Sequence, residues 1–438
     1  MRIQRFALHA LIFLVGIFCT APPLLAADTL TSTASGGVTL NEALNLAARN
    51  RSELKALDAD LDVAAITLTN ASLPPNPELG VEWDNLGGDL PTDDVRETTI
   101  SLSQPIEIGG KPAARKIRSQ AETLRLQHEQ TAVWLEIAAE VRMAFLAVLG
   151  AREKLVLQHE AEQIVLELAS ITHERVAAGE LAVTEEIRAE ARKAGAMADT
   201  QRFERLLTEA ELNLASVLLA DEVTVDTTEH LPQEVAIPDK LTLLEGINTS
   251  PILTLARSET QRAAADLSLE QANSWANPAV SLAIRDIPDK DARAVAVGIS
   301  IPLPLFQRNQ TALAAANASA QKASANQDNT TRRLHMELIK AHTLLVAADR
   351  EVRTLRSQVL SRSAEAAEAV REGFRYGKFR YSDVLEAFQN QVEIKARHLD
   401  ALLELNRSAI TLDRLLGKPS LSEFSPKKLS ASDHRSTP

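Results

Sequence analysis

The sequence predicts a mainly α-helical chain carrying short β-hairpins of membrane-crossing length, laid out twice. Three observations carry this. The first is a set of landmarks recurring about 198 residues apart: Asn50-Arg51-Ser52 and Asn248-Thr249-Ser250, Asn76-Pro77 and Asn277-Pro278, Gly179 and Gly377, Leu218-Leu219 and Leu415-Leu416. So long a period marks a duplicated architecture and not a solenoid of ~20–50-residue units. The second is a pair of segments, each near 65 residues, almost free of glycine and proline. The third is a switch to strict two-residue alternation just before each of those segments.

Residues 1–27 read as a secretory signal: Arg2 and Arg5, an apolar stretch from Ala7 to Phe18, then Leu24-Leu25-Ala26-Ala27. The one cysteine, Cys19, lies inside it, and bulky Phe18 disfavours lipid attachment there. The mature chain then has neither disulfide nor thiolate chemistry. After residue 27 no apolar run reaches the ~18–20 residues of a spanning helix, which leaves periplasm, exterior or an outer-membrane barrel. A net charge of −12 argues against nucleic acid. Only 3% of residues are aromatic, while alanine, leucine and glutamate abound, as suits long, closely packed helices.

After a linker (28–38), the first copy covers 39–220. Thr39 and Glu42 form a capping box, and a short helix follows. A second helix runs to the proline pair Pro74-Pro75. The hairpin of 78–106 has Leu79, Val81 and Trp83 alternating with Glu78, Gly80, Glu82 and Asp84, then Ile100 and Leu102 alternating with Thr99, Ser101 and Ser103. Such alternation gives one apolar and one polar face, and each strand approaches the ~9–11 residues a tilted strand needs to cross a bilayer. Lipid is the expected environment of the apolar face. A long helix is expected over 111–177, with Pro112 in its first turn. At 1.5 Å per residue, some 65 residues make a rod of about 100 Å. A turn at Gly179 and a return helix over 184–219 complete the copy.

After a second linker (221–240), residues 241–418 repeat the order. The hairpin over 279–303 has Val280, Leu282, Ile284 and then Val295, Val297, Ile299 on its apolar face. A long helix is expected over 306–373, a turn at Gly377 and a return helix over 381–416. Residues 419–438 form a polar tail. Small residues along the rods permit knobs-into-holes packing. Four membrane-length strands cannot stand alone in lipid, because their edges leave backbone groups unpaired. The chain is therefore expected to be a homo-oligomer: two copies give a filled eight-stranded barrel, three give twelve strands and a lumen.

With these landmarks in place, the chain resembles the outer membrane factor (TolC) family of tripartite efflux systems. The resemblance rests on Leu40-Asn41-Glu42-Ala43-Leu44 followed by Asn50, and covers essentially the whole mature length. Gln104-Pro105-Ile106-Glu107-Ile108-Gly109-Gly110-Lys111 and Ile301-Pro302-Leu303-Pro304-Leu305-Phe306-Gln307-Arg308-Asn309 resemble the cobalt–zinc–cadmium branch. The resemblance implies a homotrimer in the Gram-negative outer membrane, with a twelve-stranded β-barrel continued by a periplasmic α-helical barrel. It also implies a periplasmic adaptor and an inner-membrane pump of the resistance-nodulation-division (RND) class. The family narrows its tunnel at the periplasmic tip, where this chain has Asp383 and Glu386, with Glu185 as first-copy counterpart. Spacing of three puts both carboxylates on one helix face, and threefold symmetry would make a ring favouring cations. The same acids would also suit a helix N-terminus. Gly179 and Gly377, with Lys378 and Arg380, are the expected adaptor-docking tip. The tyrosine that helps hold the family's gate shut is replaced here by Phe374, leaving Tyr376 as its substitute or the gate held otherwise.

No catalytic residue, cofactor or metal site is expected. The histidines form no HxH or HExxH pattern, and His335 and His342 share a helix face only by their spacing of seven. Two rival readings are a periplasmic adaptor or structural coiled-coil protein, and the same channel exporting organic compounds or polypeptides. Against the first stand the strands, which interrupt the helices twice at membrane length.

Overall fold

The computed structural model describes residues 37–84, 96–288 and 291–417; the expected signal segment, polar tail and hairpin tips lie outside the described residues. The chain runs α1 (Leu40–Asn50), α2 (Ser52–Asn70), β1 (Glu78–Asp84), β2 (Glu97–Pro105), α3 (Lys111–Ala177) and α4 (Val183–Leu218). It continues through α5 (Lys240–Gly246), α6 (Pro251–Asn273), β3 (Ala279–Ile287), β4 (Ala292–Ser300), α7 (Gln310–Thr354), a π-helical segment (Leu355–Leu360), α8 (Ser361–Arg375) and α9 (Tyr381–Leu416). The order helix, helix, hairpin, long helix, return helix thus occurs twice.

The four strands form one antiparallel sheet in the order β1-β2-β3-β4. Pairing of β2 with β3 joins the two halves, from Pro105 opposite Ala279 to Thr98 opposite Asp286. Below the sheet the helices follow the same order, since α2 packs on α3, α3 on α6 and α6 on α7. Each strand therefore stands over the helix continuous with it. Further along the rods, α3 packs on α4 and α9, and α9 on α7 and α8.

The cores are built from apolar residues that recur every three to four positions along the rods. In the first half Trp134, Ile137, Val141, Phe145 and Val148 of α3 bury against Ala43 and Leu44 of α1 and Leu214 and Leu218 of α4. In the second half Leu334, Leu338 and Leu345 of α7 meet Leu402, Leu405 and Leu415 of α9. The capping box at Thr39 is present, with the Thr39 N–H donating to Glu42 Oε2 at 2.9 Å. The second rod begins at Gln310, not at the expected 306. Pro302 and Pro304 bias the lead-in away from helix, and Asn309 adopts a left-handed conformation (φ 59°) as the N-cap. Nor is this rod uniform: its i→i−4 ladder gives way to π geometry over Leu355–Leu360.

Candidate functional site

Two regions have the makings of a functional surface: the tip where the helical hairpins turn, and the sheet. At the tip both turns are built alike. Gly179 (φ 75°) and Gly377 (φ 74°) take the left-handed conformation that glycine tolerates best. The Gly179 N–H donates to Val176 O and the Glu180 N–H to Arg175 O; the Gly377 N–H donates to Phe374 O and the Lys378 N–H to Gly373 O. These are paired Schellman turns, each satisfying the last carbonyls of a rod.

The turns are tied to each other. The Arg175 guanidinium lies 4.5 Å from the centroid of the Phe374 ring, and its Nη2 donates to the Phe374 carbonyl at 3.0 Å. Phe374 is 2% exposed and belongs to a tip core with Leu168, Ala169, Ala189, Val384, Leu385 and Phe388. The position considered for a gate hydroxyl is thus a packing residue anchored across the two halves. Tyr376 is exposed. Tyr381 is buried, its hydroxyl has no hydrogen-bond partner, and burial pushes its phenol above the ordinary value. Ala189 of α4 shares its core, so the first turn of α9 packs near the start of α4, where the charges of Arg192 and Glu185 act on the phenol in opposite directions.

Asp383 and Glu386 both lie on the exposed side of α9, opposite the buried Val384, Leu385 and Phe388. Asp383 accepts the Arg380 N–H at 2.9 Å and the Ser382 hydroxyl at 3.2 Å, so it caps its own helix. Glu185 pairs with Arg188 at 2.8 Å, and Glu186 meets His173 Nδ1 at 2.6 Å across the first turn. Asp383 and Glu185 are thus bonded within their own hairpins. Lys378 and Arg380 are exposed beside Gly377. Sequence reading missed Arg175; the available signal was a basic residue in the last turn of a helix. Among the described residues no group of three or more His, Cys, Asp or Glu is placed to hold a metal ion, and no helix is long and apolar enough to cross a membrane.

In the sheet, cross-strand register puts Leu79, Leu102, Leu282 and Val297 in one row and Val81, Ile100, Ile284 and Val295 in the next. Trp83, Val280 and Ile299 share that face by strand parity. All eleven side chains are exposed. The other face carries Glu78, Gly80, Glu82, Ser101, Ala283 and Ala296, and the Arg285 guanidinium lies 3.1 Å from Glu97. Among the described residues, β1 and β4 each have one unpaired edge.

A four-stranded sheet with an exposed apolar band on one face, standing on rods about 100 Å long, defines an outer-membrane efflux protein. The chain belongs to the outer membrane efflux protein family, which it matches over residues 43–218 and 252–418. It is 30% identical over 390 residues to the cobalt-zinc-cadmium resistance protein CzcC of Cupriavidus metallidurans, covering 88% of this chain and 91% of that one. Among solved structures the fold matches that of CusC, with a TM-score of 0.71 at 18% identity over 87% of this chain and 93% of that one. It also matches VceC of Vibrio cholerae, with a TM-score of 0.69 at 19% identity over 86% and 96% of the two chains.

Proposed function

We propose that the protein is the passive exit duct of a tripartite efflux system, a homotrimer whose twelve strands close a barrel in the outer membrane and whose rods form a periplasmic tunnel. The observation that carries this is the sheet: a band of eleven exposed apolar side chains on one face, between two bare edges. Bare edges are excluded from lipid. Because β1 and β4 run in opposite directions, β4 of one copy can continue the ladder with β1 of the next. Three copies leave a lumen and two do not. The eleven apolar residues face lipid, and Glu78, Glu82 and Asp84 face the lumen.

A periplasmic adaptor docks at the tip around Gly179, Gly377, Lys378 and Arg380, and an inner-membrane RND pump supplies the energy. The proposed cargo is heavy-metal cations. This reading is supported by the likeness to a cobalt-zinc-cadmium resistance protein and by the carboxylates on the exposed face of α9. Asp383 and Glu386, repeated three times around the axis, form a cation-favouring constriction, with Glu185 beside it.

Planar-bilayer conductance tests the proposal. The variant is Asp383→Asn/Glu386→Gln, because an amide oxygen at 383 can still accept the Arg380 N–H and preserve the cap. Small cation-selective currents, blocked by millimolar divalent cations in the wild type and released from block in the variant, are expected. Absence of any channel from a folded oligomer would sink the duct. Unchanged block in the variant would leave Asp383 and Glu386 as helix-terminal acids only.

A further inference from the structure

The segment Ile301-Pro302-Leu303-Pro304-Leu305-Phe306 has no role in the ladder, yet it is among the most exposed apolar stretches of the protein: Ile301, Leu303, Leu305 and Phe306 are 61% to 89% exposed. It continues the two-residue spacing of Val295, Val297 and Ile299 beyond the end of β4. The first half does the same on a smaller scale, with exposed Ile106 and Ile108 continuing the spacing of Ile100 and Leu102.

Dimensions give this continuation a meaning. Val295 to Ile299 spans ~13 Å of strand, which at a tilt near 40° is ~10 Å of height, whereas the apolar band of an outer-membrane barrel is about 25 Å tall. On β4 the band cannot extend the other way, because Arg293 and Asp286 form an ion pair at 2.9 Å on the same face. Carrying the row on to Leu303, ahead of the bend at Leu305 and Phe306, gives ~26 Å of chain and ~20 Å of height, against ~10 Å for the strand alone. Arg308, its Nε donating to the Pro304 carbonyl at 3.1 Å, then marks the return of charge.

We infer that Ile106, Ile108, Ile301, Leu303, Leu305 and Phe306 form a collar immersed in the periplasmic leaflet, in contact with phospholipid acyl chains and their glycerol boundary. This rests on the reading that the apolar face of the sheet is lipid-facing. The backbone is suited to that position. Pro302 and Pro304 have no N–H to leave unpaired, the Leu305 N–H turns back on Leu303 O at 2.9 Å, and the Ile106 N–H reaches Pro278 O at 2.8 Å. Phe306 is the aromatic expected at a membrane boundary. A second copy does not cover the collar by strand addition, because the residues leading into β1 include Pro74, Pro75 and Pro77, which cannot continue the ladder opposite it.

The test uses single-cysteine variants of the mature full chain, whose sequence after residue 27 contains no cysteine. Val297→Cys, Leu303→Cys, Phe306→Cys and Lys378→Cys are each labelled with a fluorophore in vesicles of phosphatidylethanolamine and phosphatidylglycerol, and quenched by brominated acyl chains or by aqueous iodide. The expected result is acyl-chain quenching at 303 within about twofold of that at 297, weaker but present at 306, and absent at 378. Quenching at 297 with none at 303 and 306 would overturn the collar while leaving the lipid-facing strands intact. Shielding of 303 from both quenchers would overturn it in favour of a contact between copies. Failure of quenching at 297 itself would remove the lipid-facing reading on which the collar stands.

Discussion

The first half of the molecule is built from one unbroken rod and the second from an interrupted one. α3 keeps α-helical bonding from Lys111 to Ala177, whereas its counterpart passes from α7 through a π turn to α8. Counterparts at the landmark offset show the same asymmetry in their side chains. Val176 is half-buried where Phe374 is fully buried, Thr200 is hydrogen-bonded where His398 is not, and Leu219 holds a left-handed conformation that Gly417 holds with less strain. The second half therefore carries the tighter tip packing together with the one π segment among the described residues, and π turns are frequent at functional sites.

Substitution can break this comparison most forcefully at the tip. Phe374→Ala removes a buried ring and its contact with Arg175, and is expected to cost about 3–5 kcal/mol, against about 1 kcal/mol for Val176→Ala. Thermal midpoints of the two variants in detergent would show it; equal shifts would mean that the two turns bear equal weight. Next come the helix ends. Gly417→Ala would drive a Cβ into the Pro251 ring and force a left-handed alanine, so a loss of about 2–4 kcal/mol is expected. Leu219→Gly should instead gain about 0.5–1 kcal/mol, read in the same melts.

The smallest effect is one of pH. His398 Nε2 is buried without a partner, and burial, followed by the Arg356 charge on the π segment, holds its pKa below the ordinary 6.5. A depressed histidine pKa means that the folded state resists protonation. Stability is therefore full above the unfolded value near 6.5 and falls as pH drops through the window beneath it. His398→Asn is expected to flatten that acid limb of the melting profile. Thr200→Val, at the first-half counterpart, should leave the limb unchanged.

Much of this architecture was legible because the governing signals are local. Alternation placed all eleven outward strand residues on one face, and the scarcity of glycine and proline from Lys111 to Ala177 left no reason for that helix to stop. The π segment was not legible, since one extra residue in a turn leaves no mark in the composition of Leu355–Leu360. The late start of α7 was hidden because Asn309 takes the left-handed N-cap role that Gly110 plays in the first half. At the tip, spacing gave the shared face of Asp383 and Glu386. It could not reveal that the Asp383 carboxylate already accepts the Arg380 N–H, which depends on the detailed conformation of the turn.

The central seam of the sheet has a consequence for the order of events in time. β2 and β3 are neighbours in space but come from opposite halves, with α3 to α6 between them in the chain. A nascent chain that has completed only its first half holds a single hairpin with two bare edges, a form that hydrocarbon rejects. The helical hairpin closed at Gly179 lies wholly within the first half and can form before the second half is made; the β2–β3 ladder must wait for the second half and then close a long loop, which is slow. Maturation should therefore begin at the tip distant from the membrane and end with insertion, so that a truncated product stays outside the bilayer and open to proteolysis.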